Sequence, residues 1–336
     1  MKDISQNSAL LPSGFEDLLP PQAEVEYDAI ARLMAVFRSF GYARVKPPMA
    51  EFEESLLAPG PGAALTSETF RVMDPVTHRM MGLRSDITAQ IARIARSRLS
   101  DEARPLRLTY ANDVIRTKAS QARTQRQFTQ VGCEMIGRND VASDVEICVV
   151  ALKGLAALGA CGVTMDFALP RIVDDLFAVT KTRQDDIDGL RHTLAGPVDK
   201  ALSALDVLAL PEAACEYIAR LRAVVSGVEA AIAGLDMSAI SLTIDPLETR
   251  GFEYHSGLAF TLFATGIRGE LGRGGRYDIY EGEQAKESAA GFTLYMDTLR
   301  QGLKVQETAE VKELSADADW AEVARLQDEG FIVKRG

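Results

Sequence analysis

The chain has 336 residues, 47% of them hydrophobic, and a formal charge of −11 at pH 7. Length and apolar content allow a large buried core, while the acidic balance excludes a protein that coats nucleic acid through a basic surface. No run of about eighteen apolar residues offers a membrane span. Residues 1–21 lack the basic-then-apolar order of a secretory signal, so a cytoplasmic protein is expected.

In chain order, residues 21–40 put Val25, Ile30, Leu33, Met34, Phe37 and Phe40 on one helical face, opened by Pro20-Pro21 and closed by Gly41. "YARVKPP" (42–48) alternates like a strand and stops at a proline pair, which cannot continue a ladder. The Gly/Pro-rich stretch 56–68 reads as a mobile loop, and 69–84 as a hairpin turning at Asp74-Pro75. Asp86 is placed to cap a helix over 87–99 with an Ile87, Ile91, Ile94 stripe. Residues 105–115 and 126–137 are strand-like, which makes the segment between them a hairpin loop. Ser143 and Glu146 have the spacing of a capping box for a helix over 144–158. From 170 to 234 the pattern is helical, and strands return over 239–247, 254–264 and 269–278 with glycine-rich turns. Residues 290–303 read as a strand running into a helix. Strands dominate both ends and helices interrupt in blocks, which predicts an α+β fold on an antiparallel sheet. One domain is expected over 1–305, with a helical insertion near 180–235. Residues 306–336 are a short C-terminal segment, one helix and a stub, too small for a domain.

His78, His192 and His255 lie far apart, with no cysteine at ligand spacing, so no metal site is expected. Cys133, Cys148, Cys161 and Cys215 form no C-x-x-C pair and read as buried free thiols. "GRGGRYD" (272–278) fails the dinucleotide-loop spacing and reads as a tight turn between strands. Arg116, Lys118, Arg123 and Arg126 crowd the hairpin loop, and no acid follows until Glu134. Period two sets Gln130, Gly132 and Glu134 on one face of their strand. With Arg84, Asp86, Arg116, Arg250, Arg276 and Tyr277 on neighbouring elements, this is a donor set for a small zwitterion. Carboxylates would meet its ammonium, and Arg and amide groups its carboxylate. Taken one at a time, the same charges read as ordinary surface ion pairs.

Taken together and in order, these stretches resemble the catalytic core of a histidyl-tRNA synthetase, a class II aminoacyl-tRNA synthetase. "SGFEDLLP" is similar to that family's opening and "GYARVKPPMAEFE" to motif 1, with Pro48 as its proline. "ETFRVMD" and "GLRSDITAQIAR" resemble its next conserved segments, and "VIRTKASQARTQRQFTQVGCEMIG" aligns with motif 2. "TRGFEYHSGLAF" resembles the histidine-specific segment, and "GGRYD" with "AGFTLYMDTL" the motif 3 region, so the likeness covers about residues 10–302. It implies that Asp86, Thr88, Gln130, Glu134, Arg250, Tyr254 and Tyr277 line a histidine-shaped cavity. Arg116 would stand at its phosphate end, and His255 where synthetases usually carry a second Tyr.

The departures shape the expected activity. Lys118 replaces the motif 2 Glu, Ala119 the Arg after it, and Thr298 the closing Arg of motif 3, with Arg300 out of helical phase. Losing such phosphate clamps removes several kcal/mol of transition-state stabilisation. No anticodon-binding domain is expected, and with it no tRNA. This profile resembles the synthetase-like regulatory subunits of ATP phosphoribosyltransferase, whose "LRPDmT" and "YaGDVfR" are close to "LRSDIT" and "YANDVIR". Ser85 in place of the usual proline, and Arg123-Thr124 in place of Gly-Arg, depart from that group too. The resemblance implies a non-catalytic subunit without cofactor that activates a short-form catalytic partner and takes part in histidine feedback. It also implies a homodimer through the motif 1 unit, with Phe37, Phe40, Val45 and Met49 as candidates, inside a hetero-oligomer. The rival readings are a divergent synthetase that still activates histidine and a free histidine sensor with another partner.

Overall fold

A computed structural model describes residues 10–119, 123–234, 240–282, 284–304 and 310–336. The tip of the basic loop and the start of the C-terminal segment at 306 lie outside the described residues. The chain divides into a large unit ending at Leu303 and a small one, Lys304–Gly336.

In the large unit, α1 (Gln22–Ser39) buries Val25, Leu33 and Phe37 of the predicted face together with Ala29, while Ile30 and Met34 are half-buried beside them and Phe40 is the C-cap. After β1 (Ala43–Arg44) comes β2 (Ala50–Phe52) and a single turn, α2 (Glu53–Leu56). The stretch expected to be a loop contains a 3₁₀ turn at Ala63–Leu65. The hairpin forms as expected: β3 (Phe70–Met73) pairs with β4 (Met80–Leu83), and the Asp74 carboxylate accepts the Val76 and Thr77 amides. β4 also pairs with β2, giving a three-stranded sheet. Helix α3 is Thr88–Ser97 with Ile87 at its N-cap, while Asp86 accepts the Thr88 N–H at 2.9 Å from one residue earlier.

Strands β5 (Leu106–Ile115) and β6 (Gln127–Ile136) form a continuous antiparallel ladder. Helix α4 begins earlier than predicted, at Val141 (Val141–Ala157). Its capping box is Asp140 with Ser143: Asp140 is extended and accepts the Ser143 N–H, and the Ser143 hydroxyl accepts the Asp140 N–H. Glu146 cannot serve because Arg107 and Tyr42 hold its carboxylate. β7 (Val163–Ala168) leads into a helical block: α5 (Val173–Thr180), α6 (Ile187–Leu194), a two-residue strand β8 (Gly196–Pro197), α7 (Val198–Asp206) and α8 (Glu212–Gly234). Then follow β9 (Ser241–Ile244), β10 (His255–Ala264), β11 (Gly272–Glu281), β12 (Gln284–Tyr295) and α9 (Met296–Leu299).

These strands make one nine-stranded sheet in the order β1-β5-β6-β12-β11-β10-β7-β9-β8. It is antiparallel except where β1 meets β5 and β7 meets β9. "GRGGRYD", expected as a turn, lies inside β11. The reason is steric: a Cβ on Gly274 would sit 2.4 Å from the Phe260 ring and 2.6 Å from the Gly291 carbonyl, so the glycines admit neighbouring strands.

Alternation along β6 divides the molecule. Val131, Cys133 and Met135 join the larger core with α1, α4 and α8, where Phe37 meets Phe292 edge to face at 5.5 Å. Phe37 is thus committed to the chain's own core, where burying such a ring is worth roughly 1.5–3 kcal/mol. Phe128 and Ile136 point the other way, with Ile91 of α3, its N-cap Ile87, and Tyr110 and Tyr277. Cys133 and Cys148 are buried as predicted, whereas Cys161 and Cys215 are exposed; all four thiols are free. Among the described residues no helix is long and apolar enough to cross a membrane.

The small unit pairs β13 (Val311–Leu314) in parallel with β14 (Ile332–Arg335) through α10 (Trp320–Asp328). Asp319 caps the helix by accepting the Ala321 N–H.

Candidate ligand pocket

On the α3 side of the sheet, β6, β10, β11 and β12 floor a cavity of about 710 Å³. The floor contains a transverse row of small residues: Glu134 is followed across the register by Gly291, Gly275, Ala259 and Ala168. Glu134 depends on that row, since a Cβ on Gly291 would lie 1.7 Å from its Oε2. Gly132 does the same for Tyr110, whose hydroxyl would be 2.5 Å from an added Cβ.

Glu134 is fully buried and accepts hydroxyl hydrogens from Tyr277 (3.0 Å), Thr88 (3.2 Å) and Tyr110 (3.3 Å). No cation pairs with it among the described residues. Burial, with the Asp86 charge adding to it, pushes its carboxyl up to about 8 against the pull of these hydroxyls. At pH 7 the empty cavity therefore holds Glu134 mostly protonated, ready to ionise for an arriving cation. Asp86 is fixed from both sides, by the Thr88 N–H and by the Gln130 side-chain amide at 2.8 Å. Gln130 was expected on the cavity wall. It lies behind that wall instead, fully buried, also accepting the Ile87 N–H at 3.1 Å, so it positions Asp86.

Tyr254, His255 and Tyr277 form the aromatic wall. The His255 ring stacks on Tyr254 at 4.4 Å and meets Phe252 edge-on at 5.0 Å. Burial, aided by the Arg273 charge, lowers its pKa to about 3, so it is neutral at physiological pH.

At the other end, each arginine of the wall already has a carboxylate. Arg116 pairs with Glu68 at 3.4 Å and donates to the Ser85 carbonyl. Arg123 is buried, pairs with Asp297 at 2.5 Å and Glu270 at 3.6 Å, and lies over the Phe128 and Tyr295 rings. Arg273 is held by Glu270 and the Arg250 carbonyl. Arg250, predicted to face the ligand, stands on the rim, 81% exposed, with its guanidinium on Glu248. The next residue, Gly251, has a left-handed backbone with φ +79° and also lines the cavity. Asp86, Glu134, Asp166 and Glu253 also line the wall and have no ion-pair partner among the described residues. The balance therefore favours a cation or zwitterion over a polyanion.

Arg116 lines this wall, but the residues at the diverged motif positions do not reach it among the described residues. Lys118 is exposed, Thr298 is buried in α9, and Arg300 pairs with Glu16 and Glu26. Arg276 faces the opposite side of the sheet, where Asp144, Ser143, Ser288 and the Arg138 carbonyl take up its guanidinium. Sequence reasoning missed Tyr110, Thr293, Gly291 and Arg273. For Tyr110 the signal was available, because it faces Gly132 directly across the β5–β6 ladder.

A family model described as histidyl-tRNA synthetase matches residues 14–195 and 178–299. A Paramagnetospirillum magneticum protein named ATP phosphoribosyltransferase regulatory subunit is 44% identical over 99% of this chain and 92% of its own. A Rhodospirillum centenum protein of the same name is 45% identical over 98% and 89%. Among solved structures, a Bacillus halodurans ATP phosphoribosyltransferase regulatory subunit/histidyl-tRNA synthetase superposes with TM-score 0.79 at 21% identity, covering 98% of this chain and 93% of that one. At that identity the likeness is one of fold: the class II α+β sheet flanked by helices. The sequence relationship goes further, and the chain belongs to the family of ATP phosphoribosyltransferase regulatory subunits, built on a histidyl-tRNA synthetase fold.

Proposed function

We propose that the chain is a non-catalytic regulatory subunit that activates a short-form ATP phosphoribosyltransferase catalytic subunit in the cytoplasm and carries histidine feedback to it. In this reading it is a homodimer within a hetero-oligomer, binds histidine in the described cavity, and has no use for tRNA or a cofactor. The observation that carries the reading is the asymmetry of that cavity. Its ammonium end is intact, with Glu134, Asp86, Thr88 and Tyr277 converging. Its phosphate end is neutralised by internal ion pairs, with Arg123 held by Asp297 and Glu270. A triphosphate would have to break these pairs before gaining contacts of its own, whereas an amino acid meets carboxyl groups that have hydrogen bonds but no ion-pair partner among the described residues.

The deciding experiment is size-exclusion of the chain with a short-form catalytic subunit, coupled to the phosphoribosyltransferase rate. Co-elution with a raised, histidine-sensitive rate is expected. Independent elution with an unchanged rate would overturn the reading. Histidine-dependent ATP–pyrophosphate exchange tests the rival synthetase, and is expected at background level.

A further inference from the structure

Glu248 belongs to two surroundings at once. On the cavity side it holds the Arg250 guanidinium at 3.1 Å and accepts the Arg250 N–H at 2.9 Å. On the other side stands Arg191 of α6, whose Nη2 is 3.8 Å from Glu248, too far for a hydrogen bond. Arg191 approaches Asp245 at 2.7 Å, yet its buried Nε has no hydrogen-bond partner. Arg250 is therefore held at the exposed rim by one carboxylate alone, through both Nε and Nη2, while Arg191 rests on Asp245 with Glu248 just beyond hydrogen-bond reach.

The cavity needs an arginine that can move. Arg116, Arg123 and Arg273 are each tied to two groups or more, Arg123 nearly out of solvent. Arg250 is 81% exposed and held only by Glu248, and such a pair separates at small cost. We infer that Glu248 is an ion-pair exchanger: when a ligand carboxylate draws Arg250 into the cavity, Glu248 passes to Arg191 and so reports occupancy to α6. The inference rests on the cavity taking an α-amino acid, as proposed above. Because coupling is reciprocal, whatever strengthens the Glu248–Arg191 contact tightens the ligand. The helical block beginning at α5 then has a defined route by which it senses the pocket.

The test is calorimetric titration of the full chain with L-histidine and with histamine, which has the ring and ammonium but no carboxylate. Glu248→Gln removes the group that retains Arg250 and should tighten histidine roughly two- to fivefold; Arg191→Met removes the receiving group and should weaken it by a similar factor. The double variant should match Glu248→Gln alone, because without Glu248 the loss of Arg191 has nothing to act on. Histamine should bind all four proteins alike, which also shows that each is folded. An unchanged histidine affinity in Arg191→Met, or an equal shift for histamine, overturns the exchange and leaves the pocket reading intact. Failure of the wild type to bind either compound overturns the pocket reading and the exchange with it.

Discussion

Glu134 is the residue on which histidine binding should depend most. Its carboxyl sits among three hydroxyls with no cation paired to it among the described residues, and burial pushes it up to about 8. An ammonium ion placed there would ionise it, so binding and deprotonation are one event. With that pKa, roughly a tenth of the empty protein is ionised at pH 7 and about half at pH 8. Affinity should therefore rise severalfold between those pH values, with most of a proton released per histidine bound at pH 7. Glu134→Ala removes a buried charge-assisted partner and should weaken binding by about 2–3 kcal/mol at pH 8, or roughly 30- to 150-fold. Glu134→Gln keeps the shape and should flatten the pH profile. Calorimetry in two buffers of different ionisation enthalpy measures both affinity and proton count. Equal affinities for wild type and Glu134→Ala, or no proton release by the wild type, would refute the argument.

The raised pKa also sets a stability difference in the empty protein. Between pH 4.5 and about 8 the unfolded chain ionises Glu134 while the folded one does not, so stability falls as pH rises through that window. Denaturant melts of wild type and Glu134→Gln should thus diverge in favour of the variant toward pH 8, and parallel curves would contradict the burial. Gly291→Ala forces a methyl group onto the Glu134 carboxylate and should cost at least the usual 1–3 kcal/mol of overpacking and abolish histidine binding. A soluble variant with wild-type affinity would show that the strands can spread. Arg276→Ala strands the buried Asp144 charge and should cost about 3–5 kcal/mol, read as a melting point lower by several degrees. An unchanged melting point would mean that Arg220, also on Asp144, suffices.

Elements governed by local rules were readable from the sequence. Alternation put Gln130, Gly132 and Glu134 on one strand face, and Asp74-Pro75 marked the hairpin turn. What the sequence did not disclose depends on partners far away in the chain. The capping box read at Ser143–Glu146 is replaced by Asp140 with Ser143, because Arg107 and Tyr42 hold Glu146. Gln130 faces the predicted side, but whether it touches a ligand depended on Asp86 lying in front of it. The basic loop showed four cations and no nearby acid in the sequence. Its Arg123 is held by acids 147 to 174 residues further on, Glu270 and Asp297, which no local pattern connects to it. The glycines of β11 read as a turn because the Phe260 ring that requires them comes from the adjacent strand.

The row Gly291, Gly275, Ala259 and Ala168 crosses the sheet where other rows carry large side chains. Over Gly291 and Gly275 the strands hold together through their backbones and contribute little side-chain packing. A bound molecule would then supply contacts that the polypeptide leaves out over this row. Such a sheet is a thermometer of ligand supply: at a hundred times the dissociation constant, occupancy adds about 2.7 kcal/mol to the resistance to unfolding. A cell short of the ligand would hold a softer subunit, and one rich in it a firmer one, with no change in the amount of protein.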